Sequence, residues 1–238
     1  MNTILHIDTS GPDALIGISQ DLKIIASKQN SQSNTHGEFV QAGVDELFRD
    51  NAMQLKDIDA IGVTMGPGSY TGLRVGLASA KGLAFALNKP LIGLSTLTLL
   101  AKAAVGHLIE TGNTLVNEKK MQVFSMIDAR RMEIFGAIYN SSLGYLAAEK
   151  AMILDEALLL ALLSNGPLIC IGSGVAKTKI LTQHADFQNS SPLFLDYSYT
   201  IHDMAALAMI KFKAADFEDL AYSGPAYLKD YYQKPLIK

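Results

Sequence analysis

Thr3-Ile4-Leu5-His6-Ile7-Asp8, then the turn Gly11-Pro12-Asp13, then Ala14-Leu15-Ile16-Gly17-Ile18-Ser19, is a pattern that returns later in the chain. Its counterpart is Gln122-Val123-Phe124-Ser125-Met126-Ile127-Asp128, the turn Ala129-Arg130-Arg131, and Met132 to Tyr139 (MEIFGAIY). In each copy a short apolar run ends in Ile-Asp, breaks at turn residues and resumes, which is how a β-hairpin reads. Two hairpins with an aspartate beside the turn predict a duplicated α/β protein of two lobes. The expected architecture is the actin-like (ASKHA), ribonuclease-H-like fold, in which a nucleotide can sit in the cleft between lobes. Residues 1–104 form the expected first lobe and residues 105–238 the second, with the polar stretch Glu110 to Lys120 (ETGNTLVNEKK) at the seam.

Outward from the first hairpin, Leu22 to Ser27 reads as a third strand. Thr35-His36-Gly37-Glu38 has the form of a capping box, and behind it Phe39, Val40, Val44, Leu47 and Phe48 recur at helical spacing up to about Asp50. Ile58 to Met65 reads as a buried strand broken by Gly66-Pro67-Gly68. A helix from about Tyr70 to Leu87 follows, stopped by Asn88-Lys89-Pro90. Leu91 to Leu94 is a short strand, and Ser95 or Thr96 can cap a helix running to about Val105. Beyond the second hairpin, Pro167 to Ile171 reads as a strand, Gly172-Ser173-Gly174 as a tight turn and Val175 to His184 as a helix. Ile201 to Phe212 is a late amphipathic helix expected to be able to pack back on the first lobe, and the tail is aromatic and basic.

Composition narrows the function classes. With 49% hydrophobic and 18% charged residues in 238, the chain has ample material for a core. Its net charge of −3 gives no global basic footprint, so contact with RNA is expected to be local or made through a partner. Cys170 is the single cysteine, which excludes an intrachain disulfide and a multi-thiolate metal site and fits a reducing compartment. The start MNTILHIDTSGP does not read as a signal peptide, and the apolar window Ala147 to Leu163 carries Glu149, Lys150, Asp155 and Glu156, too polar to span a bilayer. A cytoplasmic protein without membrane contact is expected. His6, His36, His107, His184 and His202 share no i,i+3 or i,i+4 spacing, so no metal site is expected.

The most specific stretch is Gly66-Pro67-Gly68-Ser69-Tyr70-Thr71-Gly72-Leu73-Arg74. A strand, a glycine-rich loop and a helix start can hold an anion through free amides and the helix dipole; a tight turn needing glycine is the plainer reading. No Gly-Lys-Ser/Thr follows, so it is not a Walker loop. With Asp8, Thr9 and Ser10, residues Gly66, Gly68 and Ser69 make a candidate vestigial phosphate or nucleotide site. Asp8 can equally close an Asx-turn, which is the favoured role. The helix behind the loop carries Gly72, Gly76 and Ala80 in one row and Ser79, Gly82 and Ala86 on a neighbouring face. Glycine inside a helix costs about 1 kcal/mol relative to alanine, so close approach of the chain's own sheet or of a partner must compensate. The candidate partner surface comprises Phe39, Val40, Gly43, Leu47, Gly72, Gly76, Ser79, Ala80 and Leu83.

At GPGSYTGLRVGLASAKGLAFALNKPLIGLSTLTLLA the chain resembles the TsaB (YeaZ) family, which is related to the catalytic subunit TsaD. TILHIDTS, THGEFVQAGVDELF, DIDAIGVTMGPGS, SMIDARRMEIFGAIY and PAYLKD match family landmarks in order. In the catalytic relative, the helix after the equivalent of LIGL carries two metal-binding histidines four apart. Here that stretch is Ser95-Thr96-Leu97-Thr98-Leu99-Leu100, which cannot supply those nitrogens. The resemblance implies a subunit with no catalytic residues of its own, an inactive relative of the transferase, required for threonylcarbamoylation of tRNA adenosine 37. It implies pairing with TsaD, recruitment of the ATPase TsaE, a homodimer when alone, tRNA contact only through the complex, no tightly bound cofactor, and ATP or ADP at most at the complex interface. Two rival classes remain on the residues. A nucleotide-hydrolysing or kinase-like enzyme would need Asp8 and Asp128 facing one metal-nucleotide, and a peptidase would need a zinc site or an activated nucleophile.

Overall fold

The structure is a computed structural model and describes residues 1–32, 35–183, 187 and 191–229. The first lobe is a five-stranded sheet. Its strands are β1 (Thr3–Asp8), β2 (Ala14–Gln20), β3 (Lys23–Asn30), β4 (Ala60–Gly66) and β5 (Leu91–Ser95), in spatial order β3-β2-β1-β4-β5. β1 to β3 form an antiparallel meander, and β4 and β5 join parallel to β1. The second sheet contains β6 (Gln122–Asp128), β7 (Glu133–Tyr139), β8 (Tyr145–Ile153), β9 (Leu168–Ile171) and β10 (Leu193–Leu195), in order β10-β9-β6-β7-β8. Strand for strand the two sheets have the same order, with the same antiparallel and parallel pairings. The duplication legible in the two Ile-Asp hairpins thus extends through both sheets, and the protein has the two-lobed actin-like α/β fold.

The helices are α1 (His36–Asp50), α2 (Tyr70–Leu87), α3 (Thr96–Glu110), α4 (Glu156–Asn165), α5 (Val175–Leu181) and α6 (Ile201–Lys213). α1 and α2 cover one face of the first sheet through Val40, Val44, Leu47, Phe48, Leu77, Ala80 and Ala84. Its other face is closed by α6, whose Ile201, Met204, Leu207 and Ala208 pack on Ile4, Ala60, Ile92 and Leu94. α3 belongs to both lobes: Leu99 joins the α6 cluster while Leu97, Leu100, Ala101, Ala104 and Leu108 pack with Val123, Tyr139 and Ile169.

Several local expectations are corrected. The capping box at Thr35 does not form. The Thr35 hydroxyl donates to the Gln32 carbonyl and accepts from Asn30 Nδ2, so it is used in the turn before the helix and makes no cap hydrogen bond. α3 runs to Glu110 because Leu108 continues the buried face of Ala101 and Ala104 past Val105. α5 ends at Leu181, and His184 lies outside the described residues, as do Asp230 and the rest of the tail to Lys238. The window Ala147 to Leu163 is the end of β8, a loop and α4, and no described helix is long and apolar enough to cross a membrane.

Candidate functional site

The loop Gly66 to Ser69 and the end of β1 are built against each other. Gly66 has φ +105°, a conformation that side chains avoid, and a Cβ on Gly68 or Gly72 would collide with the Ser10 or Thr9 carbonyl oxygen. The Ser69 amide donates to Ser10 O (2.7 Å), the Gly72 amide to Ser69 Oγ (3.2 Å), and Thr9 Oγ1 to the Gly72 carbonyl (2.7 Å). Of the six candidate phosphate-site residues, Thr9, Ser10, Gly68 and Ser69 are joined by these contacts, and only Ser10, Gly68 and Ser69 line the cleft between the lobes. Two of the amides that an anion would use, those of Ser69 and Gly72, already donate inside the chain.

Asp8 is 5% exposed and receives three donors: the Ser10 amide and the Thr64 hydroxyl on Oδ1 (2.8 and 2.7 Å), and the Tyr199 hydroxyl on Oδ2 (2.7 Å). The first is an Asx-turn. The others tie β1 to β4 and to the segment ahead of α6. Burial and the Asp8 charge push the Tyr199 hydroxyl well above its ordinary range, so it stays a donor. Sequence reasoning misses Tyr199, whose only signal is its place just before Thr200, where the side chain caps the start of α6. Asp128 repeats the Asx-turn, with the Arg130 amide on Oδ1 (2.7 Å), and is more open. The same oxygen accepts from Lys177 Nζ (2.8 Å), which holds the carboxyl below its usual range.

Between the lobes lies a cleft of about 930 Å³. Ser10, Gly68, Ser69, Thr71 and Gly72 line it from the first lobe, and Asp128, Gly172 and Ser173 from the second. Asp8 does not line it, so the two aspartates do not face a common ligand. At the start of α3, Ser95 Oγ caps the Thr98 amide and donates to Glu149. Thr96 Oγ1 donates to the Pro67 carbonyl, and Thr98 Oγ1 lies 3.0 Å from Tyr139 OH. Every hydroxyl in this stretch has an internal partner. Among the described residues no cluster of three or more His, Cys, Asp or Glu side chains could hold a metal ion. Buried Cys170 has its thiol pushed up by burial, and His6, buried against Ser19, is pushed down to about 3 by desolvation; both are core groups.

The candidate partner surface divides in two. Val40, Gly43, Leu47, Gly72, Gly76 and Ala80 are buried in the chain's own core. A Cβ at Gly76 would overlap Thr9 Oγ1, so Gly72 and Gly76 are packed against the end of β1. The opposite edge of α2 is open. Phe39, Ser79 and Leu83 are half-buried, Ala78 and Gly82 exposed, and Phe85 is 82% exposed. A Cβ at Gly82 would touch nothing within 4 Å. Between α1 and α2 runs a groove of about 510 Å³ that includes Val40, Gln41, Asp45, Ala78, Gly82 and Leu83 in its walls.

The fold and cleft define a two-lobed actin-like protein. A family model described as "TsaD: tRNA N6-adenosine threonylcarbamoyltransferase" matches residues 23–236. The tRNA threonylcarbamoyladenosine biosynthesis protein TsaB of Bacillus subtilis is 31% identical over 159 residues, covering 67% of this chain and 63% of that protein. An uncharacterized Mycobacterium tuberculosis protein is 33% identical over 141 residues, covering 58% and 60%. The chain thus spans about three fifths of the length of these curated relatives. YeaZ from Pseudomonas aeruginosa superimposes with a TM-score of 0.75 at 23% identity, over 96% of this chain and all of that one. The chain belongs to the TsaD-type threonylcarbamoyltransferase family, in its TsaB (YeaZ) group.

Proposed function

We propose that this chain is a non-catalytic scaffold subunit for tRNA threonylcarbamoyladenosine synthesis, pairing with TsaD through the α1–α2 edge and acting together with TsaE. The observation that carries the reading is the open face of α2. Gly82 sits inside an eighteen-residue helix, contacts nothing through its Cβ position and gives the chain itself nothing for its helix-propensity cost. Beside it, Phe85 is a large ring in water and Ala78 and Ser79 leave the backbone approachable. Small residues flanking an exposed aromatic suit a second helix pair in close contact. In isolation a second copy of the chain would fill that place by two-fold symmetry. The internally bonded hydroxyls at the start of α3 and the buried, fully hydrogen-bonded Asp8 support a role without chemistry of its own. The direct test is titration against TsaD with Gly82→Leu beside the unaltered chain: the variant should melt normally and lose at least tenfold in affinity. Unchanged affinity would remove α2 from the interface.

One observation favours a second reading, nucleotide binding in the interlobe cleft: Gly68, Ser69, Gly172 and Ser173 approach it from both lobes. Magnesium-dependent ATP turnover by the pure chain would support an enzyme, and its absence the scaffold.

A further inference from the structure

Beside the cleft, at the N-terminal end of α2, aromatic and basic side chains from three distant parts of the chain converge. The Arg74 guanidinium lies 4.1 Å above the Tyr70 ring centre and 5.9 Å from that of Tyr227, and its Nε donates to Tyr227 OH (2.9 Å). The two rings lie 5.6 Å apart, tilted by 35°, and stay 45% and 52% exposed. Two residues beyond Tyr227, about 7 Å of extended chain, Lys229 pairs with Glu133 at the foot of the β6–β7 turn. The tip of that turn is Arg130-Arg131. Both are exposed, and both sit at positive φ (72° and 48°). Two consecutive arginines at positive φ oppose local preference, since that region favours Gly and Asn. The carboxylates nearby, Asp128 and Glu133, are each held by a lysine, Lys177 and Lys229. The patch is therefore net positive in a chain whose net charge is −3.

We infer that this surface, Tyr70, Arg74, Tyr227, Lys229, Arg130 and Arg131, is a docking face for RNA with unstacked bases, the phosphates meeting the arginines and a base stacking on the exposed tyrosine rings. Cations alone would suit any polyanion. Two half-exposed tyrosine rings beside planar guanidinium groups suit splayed bases as well as backbone, the combination by which looped RNA is gripped. The inference rests on the reading of the chain as a subunit of a tRNA-modifying complex, and it locates the contact with RNA on this subunit.

The test uses the reconstituted complex with full-length unmodified tRNA and measures KM, kcat and the salt dependence of tRNA binding. Arg130→Asn with Arg131→Gly removes both charges and installs residues that accept positive φ, so the fold is not put at risk. The expected result is a rise of about tenfold in KM for tRNA at unchanged kcat, with a shallower salt slope, about 0.7 to 0.9 less for each phosphate that is no longer neutralised. Tyr227→Leu should weaken binding with the salt slope kept, because stacking is not ionic. If the unaltered chain supports modification and both variants keep the original KM and slope, the docking face is wrong while the scaffold reading stands. If the variants instead lose affinity for a protein subunit at unchanged tRNA KM, the patch serves an acidic protein and the inference is overturned. If the unaltered chain supports no modification at all, the scaffold reading fails first.

Discussion

The two lobes share strand order, strand direction and an Asx-turn at the end of their first strand, yet they treat that turn in opposite ways. In the first lobe, Asp8 is buried, with Thr64 and Tyr199 donating to it and α6 closing the sheet behind. In the second, Asp128 is 45% exposed at its side chain and pairs with Lys177 at the mouth of the cleft. The hairpin turns differ likewise: Gly11 to Asp13 stay out of the positive-φ region, whereas Arg130 and Arg131 both enter it. Duplication supplied one frame. One copy uses its aspartate to hold elements together, and the other keeps its aspartate and its turn at the surface.

The largest effect should come from pressing on the first-lobe junction. Gly76→Leu forces a side chain into Thr9 at the end of β1. Unfolding in denaturant should show a loss of about 3 kcal/mol or more, with TsaD affinity retained by whatever fraction folds. A mutant of normal stability would break the assignment of this glycine row to the chain's own core.

Removing the two aspartates compares the lobes directly. Asp8→Ala leaves the buried Thr64 hydroxyl and Ser10 amide short of an acceptor and leaves the Tyr199 hydroxyl only Ser10 Oγ, at about 2 to 4 kcal/mol. Asp128→Ala breaks a part-exposed pair and should cost at most about 1 kcal/mol. Equal losses in paired thermal melts would contradict the contrast. Gly82→Ala, on the open edge of α2, should raise stability by up to about 1 kcal/mol, since its Cβ meets only solvent and alanine favours the helix.

The smallest effect is in pH. The Asp128 carboxyl is held below its unfolded value of 3.8, chiefly by the Lys177 hydrogen bond. The unfolded state therefore binds the proton more readily. The pair's contribution is complete well above pH 4 and disappears as pH falls through the lower folded value. Lys177→Met should flatten that last part of the acid-stability curve and leave the neutral region nearly unchanged.

Much of this frame was readable from residues. The two Ile-Asp hairpins predicted two lobes, and α2 spans Tyr70–Leu87 as the break at Gly66-Pro67-Gly68 and the stop at Asn88-Lys89-Pro90 predicted, because a side-chain cap on Ser69 and an αL residue at Asn88 are local devices. What escaped was tertiary. Gly72, Gly76 and Gly82 look alike along the helix, and only the approach of Thr9 to the first two separates core from open face. Thr35 had the right neighbours for a cap and an equally good partner in the preceding turn. Tyr199, distant in sequence from Asp8, had no signal linking them until the fold brought α6 across the first sheet. β8 (YLAAEKAMI) lacks clean alternation because much of it is exposed on both faces at the edge of its sheet.

The most direct test of the central claim is tRNA modification in a purified system containing TsaE, unmodified tRNA and a supply of threonylcarbamoyl-adenylate, with this chain and TsaD added singly or together. The scaffold account predicts product only when both are present. Product formed by this chain without TsaD, or full activity of TsaD without this chain, would contradict it.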